Sequence, residues 1–135
     1  MTKLSGHCLC GAVSYETEAE PAMIINCHCT DCRRLTGAAY ATLLFVPKDE
    51  VKISGATKSY QHSSDRGSTM TKSFCPTCGS QLFSENSARE GMVGLRAGNM
   101  DQPEQVKPQR SIFVDSKIPS TPLDPDLPSS GRMPG

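Results

Sequence analysis

Tryptophan is absent from this 135-residue chain, and its aromatic residues are limited to four phenylalanines and three tyrosines. Large anchoring side chains are therefore scarce, so something other than aromatic bulk has to help hold a core at this length. An excess of charge is missing as well, since lysine plus arginine and aspartate plus glutamate both number 14. Without a basic block there is no concentrated positive charge for a phosphate backbone, and nucleic acid is not an expected partner. No apolar run approaches a helical membrane span; the longest, near residues 43–46, is far too short. Residues 1–6 also lack the apolar stretch of a signal peptide, so the expectation is a cytoplasmic protein with no membrane partner.

Long helical periodicity is lacking too. Short apolar or alternating segments are punctuated by Gly, Pro, Ser and Asp, the pattern of short strands joined by tight turns. Strands are expected over residues 12–16, 22–26, 39–46, 51–54, 58–62, 69–74, 81–84, 92–97 and 111–114. One or two helical turns are expected over residues 30–35, with Thr30 or Asp31 as N-cap and Gly37 as terminator. The fold class implied is mainly β, a single small domain with one or two short helices. It is expected over residues 1–118. In the remaining residues, 119–135, Pro119, Pro122, Pro125 and Pro128 recur every third position, which favours an extended arm, with a frayed tail as the alternative.

What the chain does have is cysteine, seven in three clusters. Cys8 and Cys10 lie in one, Cys27, Cys29 and Cys32 in the second, and Cys75 and Cys78 in the third. An odd number leaves a thiol over if all pair as disulfides, and a reducing compartment disfavours such pairing. Metal explains the clustering better, because thiolates one or two residues apart can converge on one ion at about 2.3 Å. The segment Cys75-Pro76-Thr77-Cys78-Gly79 has the form of a zinc knuckle, and Cys8-Leu9-Cys10-Gly11 ends in the same way. Glycine there permits the positive φ that turns backbone amides toward the sulfurs. Two such knuckles make a closed four-thiolate site, for which zinc is the default metal, although iron suits the same ligands.

Seven then divides as four plus three. Cys27, Cys29 and Cys32 would hold a second zinc with one position open, the arrangement of catalytic rather than structural zinc. Spacing leaves alternatives: Cys29 and Cys32 could join the last knuckle, or His28 could supply a fourth ligand. Against the latter, a strand-like His28 points opposite to its neighbours Cys27 and Cys29. His7 and His62 read as surface residues or as supports to a site rather than ligands. Arg33 and Arg34, directly after Cys32, suit an anionic substrate through bidentate hydrogen bonds, plain surface coverage being the alternative.

These residues carry a resemblance. The stretches Gly6-His-Cys-Leu-Cys-Gly-Ala-Val13, Cys27-His-Cys-Thr-Asp-Cys-Arg-Arg-Leu-Thr-Gly37, Ser73-Phe-Cys-Pro-Thr-Cys-Gly-Ser80, Ala97-Gly-Asn-Met-Asp-Gln-Pro103 and Ile112-Phe-Val-Asp-Ser-Lys117 resemble the glutathione-dependent formaldehyde-activating enzyme family, whose domain is shared with centromere protein V. The resemblance implies an Mss4-like fold, structural zinc on Cys8, Cys10, Cys75 and Cys78, and catalytic zinc on Cys27, Cys29 and Cys32. It further implies a carbon-sulfur lyase of the glutathione-dependent, aldehyde-activating type, with a small thiol such as glutathione and an aldehyde as partners. A non-catalytic zinc-stabilised binding module is the alternative. The chain departs from relatives at Ser111, where histidine is common, at Ser120, where tryptophan is common, and at Ser129, where an aromatic is usual.

Overall fold

The computed structural model describes residues 3–133. Ten strands and one helix follow in chain order: β1 Leu4–His7, β2 Ser14–Thr17, β3 Met23–Cys27, α1 Thr30–Thr36, β4 Ala41–Pro47, β5 Val51–Ser54, β6 Lys58–Ser63, β7 Thr69–Phe74, β8 Gln81–Asn86, β9 Met92–Arg96 and β10 Arg110–Ile112. Short 3-10 turns fill several of the connections. The mainly β expectation holds, and every expected strand is present with its ends within two residues. Only β1 was not foreseen. A single apolar residue, Leu4, gives it no alternation to read, and its place is set by antiparallel pairing with β2. Gly6 is required within it, because a Cβ there would meet the Asn99 carbonyl oxygen and the Tyr15 ring.

The strands form two sheets, one in the order β1-β2-β5 and one in the order β10-β3-β4-β9-β8-β7-β6. All neighbours are antiparallel except β10 and β3. Alternation along the central strand β4 assigns residues to two faces. Leu44 and Val46 enter the main core with Leu4, Val13, Tyr15, Leu95 and the buried Cys8 and Cys75. Ala41 and Leu43, with Phe45 packed against them, form a second apolar cluster with Ile25, Ile112, Cys27 and Cys32 on the other face. A register shift between β7 and β8 at Ser73 and Phe74 lets consecutive residues Leu82 and Phe83 both enter the main core.

Helix α1 begins where expected but caps differently. Cys29, not Thr30 or Asp31, is the N-cap, and its sulfur accepts from the Cys32 amide at 3.2 Å. Gly37 ends the helix in the left-handed conformation, its N–H donating to the Arg33 carbonyl. Strand β10 stops at Phe113, which has φ 56°, the one positive value outside glycine among the described residues. Beyond it, the chain returns alongside β10: Ser111 donates to the Pro128 carbonyl and accepts from Ser130, while Val114 and Asp115 donate to Ser130 and Gly131. Ser111 and Ser129 face each other as a parallel bridge. Residues 134 and 135 of the expected arm lie outside the described residues.

Candidate metal centres

Cys8, Cys10, Cys75 and Cys78 come together with their sulfurs within 4.8 Å of one another. Each knuckle closes on its own backbone: Gly11 N–H donates to Cys8 O at 3.1 Å, and Gly79 N–H to Cys75 O at 2.8 Å. Gly11 and Gly79 take φ of 82° and 78°, as those turns demand. Amide donors face the sulfurs, from Val13 to Cys8 at 3.3 Å and from Thr77 and Cys78 to Cys75 at 3.4 and 3.5 Å. The Leu9 amide donates to the Ser80 hydroxyl, joining one knuckle to the other.

The geometry fits a metal. Tetrahedral zinc with bonds of about 2.3 Å separates its sulfurs by about 3.8 Å. Cys8 and Cys10 sulfurs are 3.7 Å apart, and so are those of Cys10 and Cys75. Four soft donors at that spacing suit zinc and leave no position open. The Ser80 hydroxyl 3.1 Å from Cys78, followed by the Cys10 amide, holds the Cys78 thiol down to about 5.

Cys27, Cys29 and Cys32 form a second set, also within 4.8 Å. Cys27 ends β3, Cys29 caps α1 and Cys32 lies in its first turn. Hydrogen bonds from Cys27 and Cys32 lower the Cys29 thiol, whereas Cys27 is raised by giving those bonds and by burial. Three sulfurs this close hold three negative charges only around a cation, so this donor set also fits a metal ion. The fourth-ligand and swapped-partition alternatives do not occur in this arrangement. The last knuckle stays with Cys8 and Cys10, and no histidine joins either sulfur set among the described residues. The His28 ring is 1% exposed and packs on Tyr40 with centroids 4.8 Å apart. Burial and the charge of Lys117 lower its affinity for a proton.

The three-sulfur set opens onto a cleft of about 610 Å³. Its apolar lining includes Met23, Ile25, Leu43, Phe45 and Ile112. Gly94 beneath Phe45 makes that lining flat, since a Cβ would stand 3.1 Å from the Phe45 ring. Arg33 and Arg34 are not on the cleft; Arg66, Arg89, Arg110 and Arg132 are. They come from four separate segments, so no local motif announces them. Arg132 pairs with Asp65 at 3.1 Å. His62 lines the cleft with Asp31, their facing atoms 3.7 Å apart, whereas His7 is exposed and bonded to the Cys8 carbonyl.

Two further charged residues are buried nearby: Lys72, which lines the cleft, and Arg96, which does not. Lys72 and Arg96 are 3% and 5% exposed. Among the described residues no helix is long and apolar enough to cross a membrane.

Comparison with known proteins agrees with this architecture. A family model described as glutathione-dependent formaldehyde-activating enzyme matches residues 3–116. A crystal structure of a Rhodobacter sphaeroides protein shares the fold with a TM-score of 0.57 at 21% identity, covering 93% of this chain and 98% of that one.

Proposed function

Because the chain belongs to the glutathione-dependent formaldehyde-activating enzyme family, we propose that it joins a small thiol, glutathione or a similar one, to an aldehyde. The reaction is that of a carbon-sulfur lyase run toward the adduct, as in forming S-hydroxymethylglutathione from formaldehyde. Two zinc ions per chain serve it, one held by Cys8, Cys10, Cys75 and Cys78 for stability and one by Cys27, Cys29 and Cys32 for chemistry. One observation carries the reading: the three-sulfur set lines a cleft, while the four-sulfur set is complete and lies apart from it.

Zinc held by Cys27, Cys29 and Cys32 would lower the pKa of an incoming thiol, and would be a weaker Lewis acid than zinc on three histidines. The sulfur attacks the aldehyde carbon, the carbonyl π pair moves to oxygen, and the proton released by the thiol ends on that oxygen. Nothing is oxidised or reduced. The chain's own contributions are orientation and exclusion of water. Met23, Ile25, Leu43 and Phe45 give an apolar lining, and Arg66, Arg89 and Arg110, which make no ion pair among the described residues, offer bidentate partners for the carboxylates of a peptide thiol. The test is NMR exchange between free glutathione and its formaldehyde adduct, read at the cysteine protons with and without holo-protein. Faster exchange with protein is expected. Rates equal to the spontaneous ones would reject the function.

A further inference from the structure

Strand register places Arg96 and Lys72 on the same sheet face as the open metal site. Cys27 of β3 is opposite Ala41 of β4, and Leu43, two residues along β4 and on the same face, is opposite Arg96 of β9. Gly94, two residues before Arg96, is opposite Ser84 of β8, which is opposite Lys72 of β7. The result is a pair of buried cations beside three sulfurs. Neither makes an ion pair with a carboxylate among the described residues. Lys72 donates to the Ser84 hydroxyl at 3.0 Å, while Nε and both terminal nitrogens of Arg96 make no hydrogen bond. Burial lowers the proton affinity of both Arg96 and Lys72, and the negative charges of Cys32, Cys27 and Cys29 oppose that lowering on each.

A buried guanidinium with no partner but the Cys32 sulfur is costly, so its retention calls for an anion close by. Three thiolates supply some of it, but zinc answers most of their charge. Two positive charges on zinc and one each on Arg96 and Lys72 exceed three thiolates by one. An anionic fourth ligand brings the buried group to neutrality; water or a carbonyl oxygen does not. Resting on the metal site proposed above, we propose that Arg96 and Lys72 are positioning residues that make the open site selective for an anionic fourth ligand, a thiolate in the reaction. They act through charge, Lys72 from the lining of the cleft and Arg96 from outside it.

The test uses holo-protein with cobalt in place of zinc, whose visible spectrum reports ligand entry. Azide serves as a small anion, imidazole as a neutral ligand and glutathione as the thiol. Arg96→Met and Lys72→Met should each weaken azide and glutathione about tenfold and leave imidazole within about twofold. Arg96→Lys should restore azide binding. Arg96→Gln and Lys72→Gln, closer in polarity, repeat the comparison if a methionine variant does not fold. Unchanged azide affinity, or equal weakening of azide and imidazole, overturns the inference. A wild type that takes up azide but not glutathione rejects the thiol reading, while the variants still decide this one. A wild type that takes up none of the three overturns both.

Discussion

Cys75→Ser and Cys32→Ser remove one sulfur each, and the two sites predict different consequences. The Cys10 to Cys75 contact joins residues 65 apart in sequence. A cross-link over such a loop restricts the unfolded chain by roughly 4 kcal/mol. Cys27 and Cys32 are five residues apart (32 − 27). The ratio of loop lengths makes that link weaker by about 2 kcal/mol. Location adds to the difference, because Cys75 and Cys8 are fully buried in the main core while the central set lies in a smaller cluster beside the cleft. Apparent zinc binding of ~10–16 kcal/mol exceeds or matches the ~5–15 kcal/mol net stability of a domain. Cys75→Ser is therefore expected to unfold the protein at neutral pH. Cys32→Ser should lose the second metal and no more than about 2 kcal/mol of stability. Urea titration gives the stability, with a shift of about 1 M expected for the latter at an m-value near 2 kcal/mol/M. Native mass spectrometry gives the metal count. Equal losses of fold in the two variants would refute the division between a structural and an open site.

A chelator should remove the metal of Cys27, Cys29 and Cys32 first, since that set faces the cleft; native mass spectra passing through a one-metal species that remains folded would show it. The Ser80 hydroxyl is the main influence holding the Cys78 thiol down to about 5, so the stability it contributes is present above the ordinary thiol range and is lost as pH falls through that value. Ser80→Ala should move acid unfolding to higher pH, followed by circular dichroism, and an unmoved midpoint would contradict the role given to the hydroxyl. Gly6→Ala would drive a methyl against the Asn99 carbonyl and the Tyr15 ring. A loss of about 1–3 kcal/mol is expected, and wild-type stability in thermal melts would show that β1 can shift without cost.

Strands were legible wherever turn residues bound an apolar segment, because alternation over even four or five residues identifies a covered face. β1 escaped since one leucine makes no pattern. The cysteine sets were legible for a different reason: metal ligands come in short sequence clusters, so the partition can be argued from spacing before any contact is known. Cys29 as N-cap was not, as sulfur is an unusual cap and Thr30 and Asp31 are better ones by type. Placing guanidinium groups next to Cys32 through Arg33 and Arg34 relied on nearness in sequence. Helix rotation carries them off the cleft, and long-range folding brings Arg66, Arg89, Arg110 and Arg132 there instead. Lys72 and Arg96 needed the sheet register, which the sequence pattern does not specify across β4, β9, β8 and β7.

The direction from which the sulfurs arrive would enclose a metal in one set and leave it accessible in the other. Two knuckles from distant parts of the chain approach a metal from opposite sides and occupy both halves of its tetrahedron. Three sulfurs within six consecutive residues approach from one side, because the segment that carries them cannot also wrap around the ion. A fourth ligand would then have to approach from the side away from the segment. Here what lies beyond the segment is the uncovered part of the larger sheet, the face that the three-stranded sheet does not pack against. Access to a metal on these three sulfurs and a cleft large enough for a small peptide thiol would thus follow from the same arrangement. The buried cations on that face give the position a preferred sign of charge.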